Sequence, residues 1–149
     1  MAANNREAVH LTQVRDYQFE VRFGPGIAAL QSDLPPPLGG GLGPSPEQQL
    51  AAAVGNCLAA SLLFSLRKYK QQPEPITAQV SAEIGRNAAG RLRVEALDVV
   101  LTLGQPAAAL QQLERVLAQF EDFCTVTQRV RAGIEVRVQV LDALGVRLK

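Results

Sequence analysis

Cys57 and Cys124 are the residues of this sequence with the widest chemical scope, and they stand 67 positions apart. A thiolate attacks peroxides and disulfides, and a second thiol within reach can close a disulfide with its oxidised form. Each cysteine also has a plain explanation, Cys124 as a loop cysteine without a role and Cys57 as a packing residue. Cys57 lies within the apolar run from Leu50 to Leu66, where a free cysteine behaves as a small hydrophobe. Its neighbours at helical spacing, Ala53, Val54, Ala60 and Ser61, are uncharged, so a group that favours its thiolate has to come from another element. Glu47 precedes Cys57 by ten residues, which on a straight helix is about 80° around and about 15 Å along. An intermediary, such as an arginine from a strand, would be needed to link the two. Cys124 falls where a helical pattern ends. If Thr125–Val130 forms a helical turn, the Cys124 thiol sits at its N-terminus, where oriented backbone N–H groups favour the thiolate.

Other chemistries find little support. His10 is the single histidine, and with two cysteines the chain lacks the ligand clusters of a zinc site or the parts of a catalytic triad, so no metal is expected. Gly39, Gly40, Gly41 and Gly43 are not followed by the Gly-Lys-Ser/Thr ending of a phosphate loop. With 15 basic and 14 acidic residues the net charge is +1, which gives no long-range attraction to nucleic acid or an anionic membrane. The opening from Met1 to Glu7 interrupts any secretory h-region with Asn, Arg and Glu, and the apolar run contains Asn56 and ends in Arg67-Lys68. A cytoplasmic protein is expected, in which thiols are kept reduced and a permanent disulfide is disfavoured. At 149 residues and 47% apolar content, one domain over 1–149 can fill its own core.

The elements that must position the cysteines follow from periodicity. From Val14 to Phe23 apolar residues alternate with polar ones, as in a half-exposed strand, and Gly24-Pro25-Gly26 turns the chain toward a return arm over Ile27–Leu30. Pro35-Pro36-Pro37 and the glycines that follow make a loop. Ser45-Pro46-Glu47-Gln48 carries the spacing of a capping box, opening a helix that runs to about Lys70. That helix is apolar on nearly every side, more than one small sheet would cover, which points to a dimer. Two strands follow, one with Ile76, Ala78, Val80, Ala82 and Ile84 on one face. The second slips phase near Ala96, the mark of a bulge. A second helix is expected from Pro106, with Leu110, Leu113, Leu117 and Phe120 in one stripe, and a last strand after Gly133. The order β-β-α-β-β-α-β is α+β.

Several of these stretches together resemble the OsmC/Ohr family of organic hydroperoxide reductases. They are Asp33-Leu34-Pro35, the glycine-rich stretch ending Gly43-Pro44-Ser45-Pro46-Glu47, the run Leu50-Ala51-Ala52-Ala53-Val54-Gly55-Asn56-Cys57, and Cys124 followed by Gly133-Ile134-Glu135-Val136. The resemblance spans nearly the whole chain. It implies an intertwined homodimer with a central buried helix, and a thiol peroxidase that reduces organic hydroperoxides or hydrogen peroxide. On that basis Cys57 would be the peroxidatic cysteine, Cys124 the resolving one, and Glu47 the glutamate that holds an arginine from the N-terminal sheet. Arg15, 32 residues before Glu47, fits that arginine by spacing, with Arg22 as the other candidate. No bound cofactor is implied; an external dithiol such as a lipoyl group would reopen the disulfide. The sequence departs from the family at Thr125, where a proline usually follows the second cysteine, and in its 5% aromatic content. The alternative is a non-catalytic protein of this fold that binds a small apolar ligand between subunits.

Overall fold

A computed structural model describes residues 5–149, so the first four residues of the opening stretch weighed as a secretory signal lie outside the described residues. The chain divides into two units, Met1–Gln49 and Leu50–Lys149.

In the first unit, β1 (His10–Arg15), β2 (Gln18–Arg22) and β3 (Leu30–Ser32) form an antiparallel sheet in chain order. The alternation of Val14–Phe23 predicts one strand. It is cut by a turn at Asp16-Tyr17, where Asp16 takes a left-handed φ of 45° and Arg15 pairs with Gln18. Side-chain alternation continues through so tight a turn, which is why periodicity does not show it. The α+β order therefore holds with a third N-terminal strand. Asp33 then organises the loop: its carboxylate accepts the backbone N–H groups of Leu34 at 2.8 Å, Gly40 at 3.1 Å and Leu42 at 3.2 Å. The loop lies close on the sheet at Gly43, where a Cβ would meet the Gln31 carbonyl oxygen at 1.9 Å. At Ser45 the capping box forms, with Ser45 Oγ accepting the Gln48 amide and Gln48 Oε1 accepting the Ser45 amide. This starts α1 (Pro46–Lys68).

In the second unit, β4 (Thr77–Arg86) and β5 (Leu92–Thr102) are antiparallel, and β6 (Glu135–Leu141) adds to β5 in parallel. The bulge lies where the phase slip predicts: Glu83 faces Ala96 but Ile84 faces Val94, so Glu95 is the extra residue. Leu97, Val99 and Leu101 of β5 meet Val54, Leu58, Leu62 and Leu66 of α1, closed by Val116, Phe120 and Val140. Gly55 lets α1 approach β4, since a Cβ there would be 2.6 Å from Val80 Cγ2. The length and composition of α1 would also suit a bilayer span, but this apolar stripe is buried in protein.

The second helix is not one piece. A 3-10 turn at Ala107–Ala109 ends in extended Leu110, Gln112 adopts φ 61°, and α2 (Leu113–Gln119) starts only after it. The Gln111 amide leaves the helical ladder for the Gln71 side chain at 2.9 Å. Val116, Leu117 and Phe120 are buried, and the expected Leu110 and Leu113 pack partly buried against the same core. A 3-10 turn, Phe120–Phe123, leads to Cys124, which precedes α3 (Thr125–Val130).

Candidate functional site

The second unit brings the two cysteines together. Cys57 projects half-buried from the middle of α1, and Cys124 is buried in the core beside it. Both cysteines are free, and Cys57 lies near enough to Cys124 to bear on its ionisation. The Cys124 backbone is fixed from both sides, its amide donating to the Glu121 carbonyl and its carbonyl accepting from the Gln128 amide. Its thiol donates to Thr127 Oγ1 at 2.8 Å. Burial pushes the Cys124 thiol above its ordinary pKa, and the neighbouring Cys57 adds to this. The Thr127 hydroxyl and backbone N–H pull the other way without overcoming it. Cys124 thus rests as a protonated thiol, suited to wait rather than to attack first.

The turn that carries Cys124 is anchored through Glu121. Its carboxylate takes an ion pair from Arg131 at 2.5 Å and one from Lys149. Burial alone would raise the Glu121 pKa, but hydrogen bonds from Lys149 and Arg131, with their charges, outweigh it and leave the carboxyl below its ordinary value. Around the thiols the outer face of α1 is apolar and open. Ala53 and Ala60 are exposed, Phe64 is 57% exposed, and Lys68 lies over both Phe64 and Phe123, the latter 53% exposed.

Arg15 and Glu47 both belong to the first unit, and among the described residues they form no ion pair with each other. Arg15 Nε instead donates to Gln18 Oε1 at 3.2 Å. Its positive charge also reaches Asp33, whose carboxyl is held below its ordinary value mainly by the Leu42 amide. Arg15, Gln18, Asp33, Gly39 and Gly40 share one hollow of about 310 Å³. Glu47 stands exposed in the first turn of α1. Arg22, the other arginine considered, is exposed and paired with Glu20 at 2.6 Å. Sequence reasoning missed Gln18 and Asp33 as partners of Arg15, and Thr127 as partner of Cys124. Asp33 had one available signal, an aspartate ahead of a Pro/Gly-rich loop. Thr127 had another, a hydroxyl three residues after a helix-capping position.

A thiol pair carried on the helix that follows the first sheet and on a turn between β5 and β6 of the second defines an α+β protein with paired thiols. Residues 39–139 match the family model for OsmC-like protein, and the chain belongs to that family. No match was found among curated proteins. Solved structures agree on the fold. A Psychrobacter arcticus protein described as a putative osmotic stress induced and detoxification response protein is 19% identical. It has a TM-score of 0.75 over 94% of this chain and 99% of that one. An organic hydroperoxide resistance protein from Elizabethkingia anophelis, solved with thiocyanate bound, is 18% identical, with a TM-score of 0.73 over 94% and 98%. A putative organic hydroperoxide resistance protein from Vibrio cholerae, with captopril in one of its active sites, is 22% identical, with a TM-score of 0.67 over 99% and 97%.

Proposed function

We propose that this chain is a cytoplasmic thiol peroxidase that reduces organic hydroperoxides, or hydrogen peroxide, through Cys57 and Cys124. The observation that carries this reading is the neighbouring pair of reduced sulfurs, one half-buried and one buried. In the first step the Cys57 thiolate attacks the peroxide. The O–O bond breaks, an S–O bond forms, and the alcohol or water leaves with a proton, giving a sulfenic acid on Cys57. In the second step Cys124 attacks that sulfur. The S–S bond forms, and the S–O bond breaks to release water. An external dithiol, for which a lipoyl group is the candidate, then supplies two electrons and two protons to restore both thiols. Arg15, held by Glu47, is the proposed activator of the Cys57 thiolate. It is exposed, and its side-chain hydrogen bond goes to neutral Gln18, with Asp33 close enough to feel its charge.

The working protein in this reading is a homodimer, one OsmC-like unit over 1–149 per chain. Support comes from the apolar outer face of α1, which a single chain leaves exposed at Ala53, Ala60 and Phe64. The test is to add a slight excess of cumene hydroperoxide to the reduced protein, count free thiols and map any disulfide by mass spectrometry, with Cys57→Ser as control. Rapid loss of both thiols with a Cys57–Cys124 link, absent in the control, is the expected result. Unreacted thiols would sink the reading. Together with a ligand-dependent rise in melting temperature they would favour the alternative, an apolar-ligand carrier of the same fold.

A further inference from the structure

Cys124 must lose a proton to attack the oxidised Cys57, yet it lies in the core. Among the described residues, the titratable side chain that bears on it is Cys57 of α1, which works against its ionisation. Of the charged groups nearby in sequence, Asp122 and Arg129 are exposed to solvent and the others are occupied. Glu121 directs its carboxylate to Arg131 and Lys149, Lys149 lies over Phe120, and Lys68 lies over Phe123. Among the described residues no cation bears on the Cys124 thiol, and the task falls to neutral donors.

Thr127 is placed for it. Its side chain is wholly buried, and its hydroxyl oxygen lies 2.8 Å from Cys124 Sγ. A hydroxyl both donates and accepts and can rotate between the two roles. In the resting protein Thr127 Oγ1 accepts the thiol proton's hydrogen bond. Once that proton has left, the same hydroxyl can turn its own hydrogen toward sulfur, and the Thr127 backbone N–H is a second donor. Hydrogen bonds to an ionised acceptor are stronger than those to a neutral one. The contact therefore favours the thiolate over the thiol, where it is needed.

We propose that Thr127 is a catalytic residue of the resolving step, its hydroxyl donating to Cys124 Sγ as the Cys57–Cys124 bond forms. This rests on the peroxidase reading for its place in the reaction, but not for the hydrogen bond itself, and the experiment separates the two. With Cys57→Ser as background, Cys124 is the sole thiol. Its ionisation can be followed by thiolate absorbance near 240 nm. Adding Thr127→Val, which keeps the shape and removes the hydroxyl, should raise the midpoint by about one pH unit, a tenfold loss of thiolate. Thr127→Ser should restore it. Equal midpoints for Val and Ser would overturn the proposal. If the valine variant fails to fold, judged by circular dichroism, Thr127→Ala takes its place with the same expectation.

With Cys57 present, rapid mixing with peroxide completes the test. Thr127→Val should leave the rate of sulfenic acid formation, trapped by dimedone, unchanged. Disulfide closure should slow about tenfold, with its pH profile displaced upward. Closure at the parent rate would overturn the proposal. If the parent protein forms no sulfenic acid at all, the peroxidase reading fails, and the titration still decides whether Thr127 stabilises the Cys124 thiolate.

Discussion

Gly55 is the glycine inside α1, two residues before Cys57, and replacing it with alanine sets two opposing effects against each other. In a helix interior, Gly→Ala contributes about 1 kcal/mol through reduced backbone entropy. Here the new Cβ would stand 2.6 Å from Val80 Cγ2, inside any real carbon–carbon contact, and overpacking of that kind costs about 1–3 kcal/mol. Taking about 2 kcal/mol for the clash, Gly55→Ala should destabilise the protein by about 1 kcal/mol, a drop of roughly 2–4 °C in melting temperature for a chain of this size. The decisive comparison is in a Val80→Ala background. There the clashing methyl is gone and the next atom, the Ala78 Cβ, stands at an ordinary 3.9 Å. Gly55→Ala should then stabilise by about 1 kcal/mol, so the two sites should couple by about 2 kcal/mol in a double-mutant cycle. Urea unfolding of the four proteins gives all the terms. Equal effects of Gly55→Ala in the two backgrounds would refute the close approach of α1 to β4.

Other expectations follow from the site. On the proposed activation, Arg15→Ala should slow peroxide-dependent loss of the Cys57 thiol by about tenfold or more, while Arg22→Ala should leave it near the parent rate. If neither change slows it, measured by stopped-flow thiol counting, the activation scheme is wrong. Phe64→Asp places a charge on the exposed apolar face of α1 and should weaken self-association by at least tenfold, an effect on the order of 2 kcal/mol, as read by light scattering against concentration. An unchanged dimer would exclude that face from the interface. Acid should also destabilise the fold. Glu121 has a folded pKa below its ordinary 4.5, so its contribution is present above pH 4.5 and lost as pH falls through the folded value. Asp33, Asp98 and Asp142 behave alike below 3.8. Glu121→Gln should therefore be less stable than the parent at pH 7 but lose less on acidification; parallel urea midpoints from pH 7 to pH 3 would contradict this.

Local interactions made much of this protein readable before any fold was known. The Ser45 and Gln48 capping box, the bulge at Glu95 and the apolar faces of β4, β5 and β6 depend on neighbours a few residues apart, and spacing reports them. The resemblance that named the family rests on similarly local runs. The Asp16-Tyr17 turn and the break at Gln112 escaped because each keeps the side-chain periodicity while changing one backbone angle. What the tertiary structure alone decided was which side chains meet. Cys124 reaches Cys57 and Thr127, Arg15 takes Gln18 rather than Glu47, and Glu121 gathers Arg131 and Lys149. Side-chain partners are chosen by how whole elements pack and by the cost of leaving buried polar groups unpaired, and no spacing along the chain encodes that choice.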